Sequence, residues 1–155
     1  MRTEVYVKEY IQVAHRLTVL PGKCENIHGH SMLVIIKIGV EVGNEGVAID
    51  GEDGSMLDFG EIKHFVRKHL NDNYDHHLLL NENDSLAQPL THLKYTRLEN
   101  REMYCLPGLV TKPGDPTVEN MAKWIFEEIR DIYDFPVIEV EVQETATNGV
   151  IYRGN

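Results

Sequence analysis

Apolar and polar residues alternate along two long segments near the start of the chain. In residues 3–15 the odd positions from Val5 to Val13 carry valine or isoleucine, interrupted only by Glu9. In residues 28–42 the even positions are apolar from residue 32 onwards. Successive side chains of a strand point to opposite faces, so both segments are predicted to be strands with one buried face. The short connection between them contains a Pro-Gly turn signal, which predicts an antiparallel pair.

Two later segments have apolar residues at the spacing of an amphipathic helix. The first, "LDFGEIKHFVRKHL", begins with Asp58 and Glu61 at the spacing of a capping box. Its apolar stripe consists of Phe59, Ile62, Phe65, Val66 and Leu70. In the second, "DPTVENMAKWIFEEIRDIY", Thr117 can cap the helix. Its apolar stripe consists of Val118, Met121, Ala122, Ile125, Ile129 and Ile132.

The alternation returns after Pro136, and Glu144 continues the parity of the apolar residues there. Asn148-Gly149 then predicts a turn into a short last strand. The order is therefore strand, strand, helix, helix, strand, strand. This order predicts an α+β fold, in which a four-stranded antiparallel sheet is covered on one face by two helices.

Two regions are expected to be irregular. Residues 82–115 lack a clear period and contain three prolines, so they are predicted to be a loop insertion with at most one short helix. Residues 43–55 are expected to form another exposed loop. With 42% hydrophobic and 26% charged residues, the chain is expected to fold as a single domain over residues 1–155.

The net charge of −10 disfavours nucleic acid and anionic membranes as partners, because both present negative surfaces. Arg16 and Lys23 could still form a local site for a phosphate group. Cys24 and Cys105 cannot build a disulfide framework, which favours reduced thiols and a cytoplasmic location. The N-terminal segment does not resemble a signal peptide, and no stretch approaches the ~20 apolar residues of a membrane span.

Three histidines are predicted to converge at the end of the first strand pair. His28 and His30 are two positions apart, so their rings leave the same face, and His15 has the buried parity of the neighbouring strand. Three imidazoles with one open coordination position are typical of catalytic zinc. A His-x-His pair alone is more often incidental, but His15 on the partner strand favours a metal site. A structural zinc is disfavoured, because such sites usually have four cysteine-rich ligands.

Cys24 lies in the turn that leads into the second strand, and three roles are open for it. It could be a fourth metal ligand, a thiolate that moves protons on a bound substrate, or a small turn residue.

Asp75 and His76 follow the first helix, and the aspartate could orient the imidazole as a general acid or base. The alternative is a polar loop without a catalytic role. The remaining histidines are expected at the surface: His64, His69, His77 and His92.

Glu144 points towards the expected core, where an unpaired carboxylate is costly. It should therefore have a partner, and a planar ligand edge with two N–H donors, as in a pterin or a guanine, would suit its carboxylate. The alternative is that the strand ends before Glu144 and the side chain reaches solvent.

Taken together, these residues resemble the family of 6-pyruvoyl-tetrahydropterin synthase and 6-carboxytetrahydropterin synthase. The resemblance spans nearly the whole chain in the family's order. It is carried by "AHRL", Cys24-x-x-x-His28-Gly29-His30, "LDFGEIK", Asp75-His76, "PTVENMAKWI" and "QETATNGVIYRG".

The resemblance implies a tunnelling fold, whose subunits join edge to edge into a homohexamer built as a dimer of trimers. It also implies that His15, His28 and His30 hold Zn²⁺. Cys24 would act with Asp75 and His76 in proton transfer. Glu144 would anchor the pterin ring, and Thr117 would contact it.

The implied reaction starts from 7,8-dihydroneopterin triphosphate. The leading expectation is a zinc-dependent lyase that forms 6-carboxy-5,6,7,8-tetrahydropterin, a precursor of queuosine. A 6-pyruvoyl-tetrahydropterin synthase is the alternative within the same family. Glu25 keeps open a third reaction, a folate-type cleavage to 6-hydroxymethyl-7,8-dihydropterin, although it could equally be a solvated turn carboxylate. Outside these activities, a non-catalytic pterin- or purine-binding module and a structural metal protein remain as alternatives.

Overall fold

A computed structural model describes residues 3–43, 46, 48–50, 55–133 and 136–154. The strands are β1 (Thr3–His15), β2 (His28–Val42), β3 (Ala48–Asp50), β4 (Ser55–Met56), β5 (His77–Asn81), β6 (Lys94–Thr96), β7 (Met103–Cys105), β8 (Leu109–Lys112), β9 (Val137–Thr145) and β10 (Asn148–Tyr152). The helices are α1 (Phe59–Asn73), α2 (Ala87–His92) and α3 (Val118–Tyr133), with a short 3-10 helix at Lys23–Glu25.

The two long strands form the antiparallel pair that the alternation predicts. Their register runs from Thr3 opposite Val40 to His15 opposite His28, without interruption. One face of this ladder is buried under the helices, and Ile11, Met32 and Ile36 on it are at most 1% exposed. The predicted inward parity of both strands is therefore confirmed.

The main sheet is larger than the four strands expected from the sequence. Six strands lie side by side in the order β10-β9-β2-β1-β5-β8, and β3 and β4 are attached at the far end of β2. β5 pairs parallel with β1 and with β8, so the sheet is not wholly antiparallel either. The expectation was wrong because β5 is a short run of three leucines, two of them buried, with no alternation, and β8 lies in the region without a period.

Helices α1 and α3 cover the same face of the sheet, as predicted. Asp58 caps α1 by accepting hydrogen bonds from the N–H groups of Gly60 and Glu61, and Thr117 caps α3 through the N–H of Asn120. The central residues of both stripes join the strand side chains in one core. Two residues of the predicted apolar stripes are not buried. Phe59, at the start of the first stripe, is 52% exposed, and Ile132, at the end of the second, is 61% exposed.

Residues 82–115 are more structured than a plain loop. They contain α2, a two-stranded ribbon of β6 and β7, and the sheet strand β8. Residues 43–55, also expected to be a loop, carry β3 and begin β4, and residues 44–45, 47 and 51–54 lie outside the described residues. None of the helices in the described part of the chain has both the length and the apolar character needed to cross a bilayer.

The last hairpin turns earlier than the sequence suggests. Ala146 and Thr147 form the turn, and Asn148 and Gly149 already belong to β10, where the register shifts between them. Gly149 lies so close to β9 that a Cβ atom there would be 2.6 Å from the carbonyl oxygen of Val142. The register therefore skips Glu144, which is the extra residue of a bulge on β9 opposite the Asn-Gly pair.

Candidate functional site

Three histidines meet where β1 and β2 end together. His15 pairs directly with His28, and His30 pairs with Val13, so all three rings lie on the helix-facing side of the ladder. Their ring centroids are 4.6 to 5.2 Å apart. One nitrogen from each ring lies within 4.8 Å of the others. The predicted convergence is present.

Backbone carbonyls orient two of these rings. The Nδ1 atom of His15 is 2.8 Å from the carbonyl oxygen of Pro116, and that of His28 is 2.7 Å from the carbonyl oxygen of Asn26. A carbonyl can only accept, so each Nδ1 carries the proton and each Nε2 presents a lone pair. The two Nε2 atoms are 3.1 Å apart. The Nε2 atom of His30 is buried and has no hydrogen-bond partner among the described residues.

This arrangement fits a divalent metal ion. Nitrogen ligands of a tetrahedral zinc, each about 2.0–2.1 Å from the ion, are separated from one another by roughly 3.3 Å. Burial lowers the pKa of His15, and the neighbouring histidines lower it further. The ring is therefore neutral at physiological pH, as a metal ligand must be. A cation would bind the Nε2 lone pairs of His15 and His28, which face each other, and the buried Nε2 atom of His30.

Glu144 reaches the same site from β9. Its Oε1 atom is 3.6 Å from Nε2 of His30 and 3.9 Å from Nε2 of His15. Its other oxygen accepts a hydrogen bond of 3.0 Å from the side-chain amide of Asn148. Because β9 continues to Thr145, the alternative in which the strand ends before Glu144 is wrong. Glu144 therefore has protein partners in Asn148 and the histidines, and the pterin edge expected for its carboxylate stays a prediction.

Cys24 lies in the 3-10 helix between β1 and β2. Its carbonyl oxygen accepts a hydrogen bond of 2.9 Å from the N–H of Leu17, which ties this turn to the end of β1. The thiol is free and half-buried. Among the described residues, the cluster of potential metal ligands contains the three histidines without Cys24, which does not support a ligand role for the thiol.

Arg16 is engaged with protein groups. Its guanidinium donates to the carbonyl oxygen of Glu25 at 2.7 Å and forms an ion pair with the buried carboxylate of Asp84. This side chain therefore orders the turn that carries Cys24, which weighs against the phosphate site suggested for Arg16 with Lys23. The side chain of Glu25 is exposed.

Asp75 and His76 form a hydrogen-bonded pair after α1. Nδ1 of His76 donates to Asp75 Oδ2 at 2.8 Å, and the other oxygen of Asp75 accepts from the N–H of Gln12 at 2.6 Å. Burial raises the pKa of Asp75, but the hydrogen bonds from Gln12 and His76 outweigh it, so the pKa lies below its ordinary value. Asp75 is thus ionised and holds the imidazole of His76.

A groove of about 660 Å³ lies beside this pair. His76 lines it together with His30, so the groove connects the acid–base pair with one corner of the histidine cluster. Its wall is mostly apolar and includes Ala14, Leu106 and Pro107. Cys24 and Glu144 do not line this groove.

Asp115 is a buried residue beside the candidate site that the sequence analysis missed. Its carboxylate accepts hydrogen bonds from the N–H of Thr18, the hydroxyl of Thr18, the N–H of Val19 and the side chain of Asn81. Burial raises the pKa of Asp115, but these hydrogen bonds outweigh it and lower the pKa below its ordinary value. Because the next residue, Pro116, holds the ring of His15, Asp115 fixes both the cysteine turn and a candidate ligand. The Asp-Pro-Thr sequence before a helix could have indicated such a role.

The other candidate residues have mixed outcomes. Thr117 caps α3 next to Pro116, which places it near the cluster. His64 and His92 are exposed, as expected. His77 is half-buried and lines the groove. The surface assignment of His69 was wrong, because it is 4% exposed and donates to Glu128.

A sequence model of the family described as 6-pyruvoyl tetrahydropterin synthase matches residues 4–155. The 6-carboxy-5,6,7,8-tetrahydropterin synthase of Haemophilus influenzae is 26% identical over 148 residues, covering 94% of this chain and 96% of that protein. The 6-pyruvoyl tetrahydrobiopterin synthase of Dictyostelium discoideum is 28% identical over 159 residues, covering 99% of this chain and 93% of that protein.

A solved structure of similar fold is the 6-pyruvoyl tetrahydropterin synthase of Caenorhabditis elegans. It aligns with a TM-score of 0.66 and 21% identity, covering 100% of this chain and 97% of that one. At this identity the likeness concerns the fold. The overall fold of this chain is therefore similar to the fold of that structure.

Proposed function

The chain belongs to the 6-pyruvoyl tetrahydropterin synthase family, and from this premise we propose that it is a zinc-dependent lyase acting on 7,8-dihydroneopterin triphosphate. The proposed product is 6-carboxy-5,6,7,8-tetrahydropterin, which would place the enzyme in queuosine biosynthesis. The observation that carries this proposal is the histidine cluster, in which three nitrogens lie within 4.8 Å of one another and one is buried without a hydrogen bond from the described residues.

His15, His28 and His30 would hold the ion. A bound Zn²⁺ at this position would supply Lewis-acid polarisation of substrate oxygens. The carbonyl groups of Pro116 and Asn26 keep the tautomers of His15 and His28 fixed, so the protein prepares the site before an ion arrives.

Proton transfer is assigned to Cys24, Asp75 and His76. Cys24 has a free thiol in a turn adjacent to the ligands, where a nearby cation would favour the thiolate. Asp75 is ionised and accepts the Nδ1 proton of His76, so the Nε2 atom of His76 is the one available for exchange with substrate. In the described geometry the histidine faces the groove of about 660 Å³.

Glu144 is assigned to recognition of the pterin ring. Asn148 holds one of its oxygens while the other points at the histidine cluster. An ionised carboxylate can accept two parallel N–H donors from the amino-pyrimidine edge of a pterin. Thr117, at the start of α3, is the second residue proposed to contact the ring.

The carboxy product is preferred because relatives such as the Haemophilus influenzae protein carry that name. The Dictyostelium discoideum relative carries the pyruvoyl name, so the pyruvoyl product is the alternative. Glu25 keeps the hydroxymethyl product as a third outcome, since its exposed side chain follows Cys24 in the same 3-10 helix.

The decisive experiment incubates the zinc-loaded protein with 7,8-dihydroneopterin triphosphate and identifies the products by mass spectrometry. We expect triphosphate release and 6-carboxytetrahydropterin from wild type and from Glu25→Ala. A hydroxymethyl product lost in Glu25→Ala would assign the folate-type reaction. Tight binding without triphosphate release would show a non-catalytic pterin- or purine-binding module and overturn the enzyme assignment.

Cys24→Ala should abolish turnover while the zinc content stays at the wild-type value, because the thiol is assigned to proton transfer and not to the ion. The two measurements are steady-state kinetics and metal analysis of the same preparation. The exposed cysteine provides the matched control, since Cys105→Ala should leave both quantities unchanged. Loss of zinc in Cys24→Ala would make the thiol a ligand and defeat the assigned role.

Removal of zinc with a chelator should abolish activity and leave the far-ultraviolet circular dichroism largely unchanged. The core of the described residues is built from apolar side chains on the sheet and helices, and the ion would lie at its edge. Unfolding on chelation would instead identify a structural metal protein.

Assembly as a cytoplasmic homohexamer, a dimer of trimers, completes the proposal. In the order of the main sheet, β10 and β8 are the outermost strands, and strand edges favour pairing with another chain. Light scattering coupled to size-exclusion chromatography would test the expected mass of six subunits.

A further inference from the structure

The backbone of His76 has an unusual conformation. Its φ angle is +59°, in the left-handed region that side-chain-bearing residues rarely adopt. The side chain is 78% exposed, so packing around the ring does little to hold it. The direction of the imidazole therefore depends on contacts to the backbone and on the bond to Asp75.

Two neighbouring segments hold this backbone from opposite sides. From β1, the carbonyl oxygen of Gln12 accepts a hydrogen bond of 2.6 Å from the N–H of His76. From the other side, the carbonyl oxygen of Gly108 accepts a hydrogen bond of 2.6 Å from the N–H of Leu78. Gly108 directly precedes β8, which pairs parallel with β5.

Gly108 also touches the carbonyl group of His76. A Cβ atom at position 108 would lie 2.8 Å from the carbonyl oxygen of His76 and 3.6 Å from the Cα atom of His77. The first distance is shorter than side-chain carbons tolerate, so an alanine there would displace the backbone of His76. No positive φ angle is recorded at Gly108, so close approach is the reason for a glycine at this position.

We infer that residues 106–108 position His76, and that Gly108 is the positioning residue. This inference rests on the proposed function, because it concerns the histidine assigned to proton transfer. Leu106 and Pro107 line the same groove as His76. Residues 106–108 belong to the region expected to be a loop insertion. Together with Gln12 they hold the backbone at His76 from two sides, which we call the clamp, and they form part of the groove wall.

The test compares Gly108→Ala in the wild-type and His76→Ala backgrounds by steady-state kinetics. A displacement of about 1 Å can cost roughly 100-fold in rate, so Gly108→Ala should lower kcat by about 10- to 100-fold with little change in KM or zinc content. In the His76→Ala background the same substitution should have no further effect, because the residue it acts through is gone. Leu98→Ala, in the same region and 99% exposed, is the control expected to match wild type.

A second variant covers the case in which Gly108→Ala does not fold. Leu106→Ala loosens the segment without introducing a clash. It should lower kcat less than Gly108→Ala does, and only when His76 is present. Equal losses in both backgrounds, or wild-type kcat in Gly108→Ala, would overturn the inference.

Failure of the proposed function can be told apart from failure of this inference. If wild type does not turn over the pterin substrate, the proposed function fails. The imidazole resonances of His76, assigned by comparison with His76→Ala, then test the clamp directly. A changed chemical shift in the folded Gly108→Ala or Leu106→Ala variant supports the clamp, and unchanged shifts in both overturn it.

Discussion

Backbone carbonyls determine how the candidate metal ligands present their nitrogen atoms. The ring of His15 depends on Pro116, and Pro116 follows Asp115, whose carboxylate also binds the turn after β1. Parity along the two strands was sufficient to predict that the three rings converge. The carbonyl partners could not be predicted, because Asn26 and Pro116 lie in irregular segments without a period, and Pro116 is also distant in sequence from His15.

Glu144 is the residue for which geometry makes the sharpest kinetic prediction. Glu144→Gln replaces one acceptor oxygen by a donor, so it should raise KM for the pterin substrate at least tenfold, by about 1.4 kcal/mol or more of lost binding. The zinc content should not change, because the three histidines remain. Steady-state kinetics and metal analysis measure the two effects.

Asn148→Ala is the matched companion to that variant. It removes the amide that holds one Glu144 oxygen at 3.0 Å and leaves the carboxylate in place, so KM should rise less than in Glu144→Gln. If Glu144→Gln has wild-type kinetics, Glu144 does not belong to the pterin pocket.

At the scale of elements, the predictable parts of the fold are those with a clear period. β1 and β2 alternate over more than ten residues each, and the capped helices repeat their apolar residues over several turns. β5 and β8 could not be predicted, because each is short and pairs parallel with a distant segment. The sheet edge next to His76 is therefore formed by β5 and β8, two strands with almost no recognisable local sequence pattern.

Asp58 provides a prediction about α1. Its side chain accepts from the N–H of Gly60 at 2.7 Å, so Asp58→Ala should reduce the free energy of unfolding by about 1 kcal/mol. Urea unfolding followed by circular dichroism measures the change. Asp58→Asn keeps an acceptor oxygen and should lose less stability.

Asp72→Ala, near the other end of α1, is the control for the cap. Its carboxylate is exposed and pairs with Lys68 on the surface, so the unfolding midpoint should stay close to that of wild type. Equal stability losses for Asp58→Ala and Asp72→Ala would show that the cap contributes nothing specific.

At the scale of the whole molecule, Glu128 joins the two large helices to the edge of the sheet. From α3 it accepts hydrogen bonds from Tyr74 at 2.7 Å and His69 at 2.9 Å, and it pairs with Lys112 of β8. Burial raises the pKa of Glu128, but these partners outweigh it and hold the pKa below its ordinary value. Burial raises the pKa of Tyr74, so its hydroxyl stays protonated as a donor. The sequence pattern could not predict this cluster, because it indicates a surface position for His69.

The lowered pKa of Glu128 predicts a dependence of stability on pH. A group with a lower pKa in the folded state stabilises the protein at neutral pH, and the contribution is lost as pH falls through the folded-state pKa. Glu128→Gln should therefore reduce the free energy of unfolding at pH 7 by about 1–3 kcal/mol and flatten its decline below about pH 5. Urea unfolding between pH 7 and pH 3 tests both effects.

Glu127→Gln removes the same charge from the adjacent position of α3, outside this cluster. It should retain the acid sensitivity of wild type. If Glu128→Gln declines with pH as steeply as wild type, the carboxylate of Glu128 is not the origin of the acid sensitivity.

The pairing of His15 with His28 also limits how the gene can change length. Because side chains alternate between faces, deletion or insertion of a single codon inside β1 or β2 would rotate part of the cluster to the opposite side of the sheet. Indels should therefore be tolerated in the ribbon formed by β6 and β7 and eliminated from the first ladder. In a library of single-codon deletions selected for activity, deletions within β1 and β2 should be absent from the active variants.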